Sequence, residues 1–273
     1  MINPAPALRI GENRIPCPKC ERGPKDTALA VRLEDNGHVV FHCHRCGYAG
    51  ADGDETTSAA PIVPRQVIAG TKMLSTYGRS IWKSALPIAG AAQSYLEKRV
   101  CQLPSPAGHL RYLPSLRHPS HYEGPALIGL VTDALTGEPM SLHRTWILAS
   151  GSKAPIATPR LLLKDHVKSG GVIRLWPGAG SKSLGIAEGI ETALTLAWAM
   201  TPVWSCIDAG NLAAFPLIDG IEELVIAADT DKVGLAAAAT CTDRWKRAGR
   251  RVRVLTAEQA GQDLNDEVRQ WAK

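Results

Sequence analysis

From residue 183 onward the apolar positions fall into short runs separated by longer helical patterns. "SLGIAEG" (183–189) reads as a buried strand running into a turn, and "IETALTLAWAM" (190–200) as an apolar helix. "PVWSCID" (202–208) and "EELVIAADTD" (222–231) read as two further strands. "VGLAAAATCTDRWKRAG" (233–249) is an Ala-rich helix that closes on basic residues and Gly249. "RVRVLTA" (251–257) is a fourth strand, and "LNDEVRQWA" (264–272) a last helix. Strands alternating with helices predict a mainly parallel sheet covered on both faces.

Upstream the pattern differs. Residues 72–100 have helical periodicity broken near Pro87, and residues 107–175 mix short alternating runs with Gly and Pro turns. Within them "ALIGLVTDALTGEPMSLHRTWI" predicts two strands around a turn at Thr136–Gly137. Residues 51–66 are small, polar and without periodicity, as a linker is. Residues 1–50 are punctuated by cysteines.

Composition adds little: 45% hydrophobic, 21% charged and a net charge of +5 describe an ordinary globular chain that permits a polyanionic partner without requiring one. The N-terminus has no apolar run of the secretory kind, and no window approaches the roughly 18 apolar residues of a membrane span. The expectation is a cytoplasmic protein without a membrane partner. There its seven cysteines serve as metal ligands or buried thiols rather than disulfides.

Four cysteines form paired knuckles. "CPKC" (Cys17, Cys20) and "CHRC" (Cys43, Cys46) are 22 residues apart, and "LAVRLEDNGHVVFHC" between them reads as a hairpin turning at Asn36–Gly37. Two C-x-x-C knuckles on a hairpin suit one structural tetrahedral Zn²⁺. His38, His42 and His44 lie close enough in sequence for any of them to replace a cysteine. Arg14, Lys19, Arg22, Lys25, Arg32 and Arg45 make this segment basic, as a solvated face or as a nucleic-acid contact. Cys101, Cys206 and Cys241 have no such partners, and the seven tryptophans lie mostly in apolar runs that predict core packing. "GAGSKS" (178–183) is not a P-loop, because Ser181 separates Gly180 from Lys182.

The acids carry the sharper signal. Glu188 follows the first C-terminal strand, Asp229 and Asp231 follow the third, and Asp263 and Asp266 come after the last. Ligand crevices of open parallel sheets lie at these carboxyl ends. Carboxylates gathered there repel one another unless a cation cancels them, and hard oxygen donors in small number suit Mg²⁺ or Mn²⁺.

"EGIET" after one strand and "DTD" after a later one resemble the Toprim domain shared by bacterial-type primases, topoisomerases and some nucleases. The cysteine pattern, "YLEKR", "LRYLPSLRHP", "SLHRTWI", "GSKAP" and "EGIETAL" together resemble the zinc-ribbon and Toprim primases of phages and plasmids, over nearly the whole chain. The resemblance implies an α/β architecture: a zinc-ribbon DNA-binding domain (1–50), a linker (51–70), a primase-type helical and α+β subdomain (71–180) and a Toprim catalytic domain (181–273). It implies Glu188 as general acid or base, Asp229 and Asp231 as metal ligands, and Asp263, with Asp266 as runner-up, as a third acidic position. It further implies synthesis of short RNA primers from ribonucleoside triphosphates on single-stranded DNA, beside a separate helicase. Arg111, Arg117, His143, Arg144, Lys153 and Lys164 are the candidates for holding triphosphate or template. A topoisomerase is disfavoured because all five tyrosines lie before the acidic block. A Toprim nuclease and a non-enzymatic DNA-binding accessory protein are the alternatives.

Overall fold

The computed structural model describes residues 11–20, 26–33, 39–52, 73–178 and 180–271. The expected turn at Asn36–Gly37, His38, Arg22, Lys25 and nearly all of the linker lie outside the described residues. The chain divides into two units, Met1–Arg65 and Gln66–Lys273.

The first unit is a four-stranded antiparallel sheet in the order β1 (Gly11–Ile15), β2 (Leu29–Leu33), β3 (Val39–Cys43), β4 (Ala49–Asp52). Its register sets Ile15 beside Leu29 and Leu29 beside Cys43. The Cys17 knuckle, which follows β1, therefore meets the Cys43 knuckle, which closes β3. The core is small: Cys17, Leu29, Val31 and Cys43 are buried, with Ile15, Phe41 and Tyr48 packed against them. So little apolar surface supplies little stability, which is why units of this size usually rely on a metal or disulfide staple.

The second unit begins with helices α1 (Thr76–Ser84) and α2 (Gly90–Lys98), separated at the expected break. Strands β5 (Leu110–Arg117), β6 (Glu123–Asp133), β7 (Pro139–Trp146), β8 (Arg160–Leu162) and β9 (Gly171–Arg174) follow. The C-terminal part runs β10 (Ser183–Ala187), α3 (Ile190–Leu196), β11 (Val203–Ser205), α4 (Ala209–Ala214), β12 (Glu223–Ala228), α5 (Lys232–Arg247), β13 (Arg251–Thr256) and α6 (Leu264–Trp271). Strands β13, β12, β10 and β11 are parallel neighbours, and β9, β6, β7 and β8 continue the same sheet antiparallel, with β5 pairing β6. The sheet thus runs without a break across residue 180. Its bridge is β9, which pairs β11 on one side and β6 on the other.

Alternation along the strands sends side chains to two faces. Leu184, Ile186, Leu224 and Ile226 pack with residues of α4 and α5. Ala187, Val225 and Ala227 pack with α3, and this layer continues through Ile173, Leu127 and Val131 to Tyr95 and Leu96 of α2. Ala126, Ile128, Leu142 and Trp146 face α1 and its surroundings instead.

Three details differ from the sequence reading. Helix α3 stops at Leu196, seven residues in, so Trp198 is 63% exposed and its indole donates to the Val100 carbonyl. Trp271 is also exposed, whereas Trp146, Trp204 and Trp245 are buried as expected. The short helix α4 was not anticipated, although Asp208 caps it by accepting from the Asn211 amide.

Candidate active site and metal-binding cluster

The four cysteine sulfurs lie within 4.8 Å of one another. Cys17 and Cys46 are 3.7 Å apart, and Cys20 and Cys43 3.6 Å. A tetrahedral zinc with bonds near 2.3 Å needs sulfurs about 3.8 Å apart, so the cluster fits such an ion. Local structure prepares it. The Arg45 amide points at the Cys43 sulfur (3.4 Å), and Gly47, at φ +70°, returns its own amide to the Cys43 carbonyl. Arg45 is committed to Asp26 at 2.9 Å, and Lys19 sits over the Tyr48 ring. Among the described residues no histidine joins the group.

In the second unit Glu188 and Asp229 follow neighbouring parallel strands. The register pairs Ala187 with Ala227, so the two acids emerge one residue out of step at adjoining carboxyl ends of β10 and β12. Asp231 has a local task as well: one carboxylate oxygen accepts from the Val233 and Gly234 amides at 2.9 and 2.8 Å and caps α5. The first turn of α5 lies hard against the strand end. A Cβ on Gly234 would stand 2.6 Å from the Asp229 carbonyl oxygen, so only glycine permits this approach.

Thr230, between the two aspartates, is a staple. Its hydroxyl lies 2.7 and 2.9 Å from the carbonyls of Gln262 and Gln259, and its amide donates to Gln262. The D-x-D loop is thereby fastened to the loop that delivers Asp263. Asp263 accepts from the Asp266 amide at 2.8 Å at the start of α6, and burial raises its carboxyl above the ordinary value. Asp266 pairs instead with Arg269. The strand-end acids do not close into a cage: among the described residues the four cysteines are the one metal-sized group of three or more.

Beside these loops lies a buried ionic cluster centred on Glu191, which is 5% exposed. One Arg160 nitrogen reaches both carboxylate oxygens at 2.9 Å, the Tyr95 hydroxyl donates at 2.6 Å, and Lys153 stands at 3.8 Å. Burial alone would raise the Glu191 carboxyl, but Arg160 and Lys153, with the Tyr95 hydroxyl, outweigh it and hold it well below the usual carboxylate range. Burial lowers the Lys153 ammonium to about 8 despite Glu191, and lowers His143 to about 4 with help from Arg160. Asp263 lies within electrostatic reach of Glu191, Lys153 and Arg160.

The fold explains this convergence. Arg160 pairs across the sheet with Thr145, so it shares a face with His143, two residues along β7. Lys153 comes from the loop after β7, where Gly151, at φ +86°, lets the chain pass Lys98 of α2; a Cβ there would lie 2.8 Å from the Lys98 Cβ.

Of the six expected cationic and histidine contacts, His143 and Lys153 reach this cluster. Arg144 points to the other face, is 7% exposed and donates to the Leu162 carbonyl. Arg111 stacks on Trp82 and bonds its carbonyl. Arg117 pairs with His121 near the β5–β6 turn, and Lys164 is exposed just after β8. Sequence reasoning passed over Glu191, Arg160 and Tyr95. The available signals were the second glutamate that "EGIET" holds on the helix turn after Glu188 and the tyrosine that opens "YLEKR".

Residues 183–273 match the Toprim domain family, and residues 73–175 match a family described as a domain of unknown function (DUF7146). The chain therefore joins an N-terminal cysteine cluster, a middle region and a C-terminal Toprim domain built on parallel strands. No curated protein matches it. Among solved structures, a DNA primase domain from Pseudomonas aeruginosa is similar at 13% identity, over 71% of this chain and 74% of that one, with a TM-score of 0.44.

Proposed function

We propose that this protein is a primase, joining ribonucleoside triphosphates into short RNA on a single-stranded DNA template. The observation that carries this reading is the juxtaposition around Asp263. This acid is stapled through Gln262 to the D-x-D loop, and its charge is felt by Lys153 and Arg160 beside Glu191. On this reading, acids for a metal and cations for phosphate serve one site.

The donors are hard carboxylate oxygens, as Mg²⁺ or Mn²⁺ requires, and such ions commonly use one or two carboxylates plus water and substrate phosphates, so no closed cage is needed. Glu188, Asp229, Asp231 and Asp263 are the residues that would hold one. When bound, the ion lowers the pKa of the attacking 3′-hydroxyl and offsets triphosphate charge. Glu188 takes the hydroxyl proton as the 3′-oxygen bonds to the α-phosphorus and the bond to the departing pyrophosphate breaks. Lys153 and Arg160, held from behind by Glu191, receive the triphosphate, with His143 neutral beside them. The exposed Arg117 and Lys164 are left for the template backbone, while Arg111 and Arg144 serve Trp82 and Leu162. In the N-terminal unit Zn²⁺ has a structural role, and its basic surface meets template. Unwinding comes from a helicase on another chain.

The test is primer synthesis on single-stranded DNA with labelled ribonucleotides and Mg²⁺ or Mn²⁺, beside Asp229→Ala. Short products that vanish in the variant support a primase. Asp229-dependent shortening of the template without products would show a nuclease instead, and DNA binding without either reaction would leave an accessory protein.

A further inference from the structure

Residues 244–253 contain Arg244, Lys246, Arg247, Arg250, Arg251 and Arg253 and no acid, a charge of +6. The whole chain carries +5, so everything else sums to −1 (5 − 6). The basic excess of the protein is therefore concentrated in ten residues.

The fold displays them. Helix α5 ends at Arg247, Gly249 turns the chain at φ +74°, and β13 starts at Arg251. Lys246, Arg247, Arg251 and Arg253 are exposed, the Arg247 side chain by 83%. Lys182, 76% exposed, precedes β10 nearby and pairs with Glu222, whose carbonyl accepts from the Arg251 amide. Two of the six cations are occupied: Arg244 donates to the Ala213 and Phe215 carbonyls, and Arg253 pairs with Glu223 at 3.0 Å. Among the described residues, Arg247 has only a 4.0 Å contact with Asp243, itself 68% exposed. A helix C-terminus offers about half a negative charge, which Lys246 and Arg247 alone exceed. Glu222 also feels Arg251 and Arg250, yet against Glu222, Glu223 and Asp243 the six cations and Lys182 keep a positive excess that favours an anionic partner.

Its location separates it from the acids. Strands β12 and β13 run parallel, with Glu223 beside Arg251 at their amino ends and Ala228 beside Thr256 at their carboxyl ends. Five residue steps put the cations roughly 17 Å from the acidic edge. An unstacked single strand rises more per nucleotide than the 3.4 Å of a duplex strand, so about three nucleotides cover this distance. Arginine predominates, and its planar fork suits phosphate oxygens.

We propose that this amino-terminal end of the parallel strands is a second contact surface for the phosphate backbone of single-stranded nucleic acid, distinct from the acidic edge. The choice of nucleic acid as the polyanion rests on the priming reading above. A strand lying on both surfaces gains affinity from its length without gaining sequence preference.

The experiment compares binding of oligothymidylates of about two and about twenty nucleotides to the full chain over a salt series. The triple variant Lys246→Gln/Arg247→Gln/Arg251→Gln should bind the long strand about tenfold more weakly at low salt. Its log–log salt slope should fall by about two, from roughly 0.7 per lost contact on single strands. Short-strand binding should stay as in the wild type. The charge-keeping variant Lys246→Arg/Arg247→Lys/Arg251→Lys should retain long-strand affinity, and unchanged melting temperatures exclude misfolding. An unchanged slope, as a surface for an acidic protein would give, overturns the proposal. So does equal weakening of both lengths, or a wild type that ignores the long strand. None of these readouts needs catalysis, so primer synthesis can fail while this surface stands, or the reverse.

Discussion

Replacing Arg160 by Met removes the cation that lies 2.9 Å from both oxygens of Glu191 while keeping most of the side-chain volume. At that distance, with an effective dielectric near 20, the attraction is about 6 kcal/mol. The net loss is smaller. The Arg160 side chain is 43% exposed and screened by water, and Lys153 and Tyr95 stay beside the carboxylate. A buried acid stripped of one partner usually costs several kcal/mol, so we expect about 2–3 kcal/mol at pH 7. Urea unfolding followed by tryptophan fluorescence measures it. The pH dependence gives a second check. Glu191 titrates well below its unfolded value of 4.5, so its stabilisation is complete above about pH 4.5 and is lost as pH falls toward the folded value. In the variant, burial without Arg160 raises the carboxyl, so the gap between the proteins should narrow as pH falls through that raised value toward the wild type's low one. Glu191→Met/Arg160→Met, which removes both charges, should be more stable than Arg160→Met. A loss under about 0.5 kcal/mol, or a gap independent of pH, would refute the view that this pair anchors the cluster.

Three further outcomes follow from the geometry. Thr230→Val removes the hydroxyl bonds to the 259–262 loop and should raise the half-saturating Mn²⁺ concentration several-fold, in direct metal binding as well as in activity; Thr230→Ser should restore it, and a fall in melting temperature with unchanged Mn²⁺ binding would make Thr230 merely structural. Chelation of the cysteine site, or Cys46→Ser, should unfold residues 1–65 and leave 66–273 folded, which amide exchange reads unit by unit; loss of protection in both would contradict the two-unit division. His143 is depressed to about 4 from 6.5, so it contributes stability that is complete above pH 6.5 and drains toward pH 4; His143→Gln should flatten that limb of the stability curve, and an unaltered limb would show that His143 does not titrate there.

The sequence revealed whatever is encoded by short-range spacing. The cysteine knuckles, the strands that end in Glu188 and Asp229, and the glycine that ends α5 are all local patterns. The D-x-D motif was legible as chemistry but only half explained, because Asp231 also caps α5, a geometric role that shows once Val233 and Gly234 are seen in the first turn. Glu191 was hidden for a different reason. Its partners Tyr95 and Arg160 lie 96 and 31 residues away, and no periodicity links residues that meet only through tertiary packing. The same applies to Arg144. Strand alternation turns it away from its neighbour His143, yet a basic residue beside a histidine looks in sequence like part of one site.

The bridging strand β9 and the Glu191 cluster together bear on how the chain acquires its structure. The two regions that match separate families, 73–175 and 183–273, look like separable pieces. Yet a fragment starting at residue 183 would hold a buried carboxylate without Arg160, Lys153 or Tyr95, and a fragment ending at 175 would leave those groups facing a missing partner and β9 with a bare edge. Neither is expected to be soluble and ordered when expressed alone. Both should become so when produced together, as complementing halves of one cooperative transition.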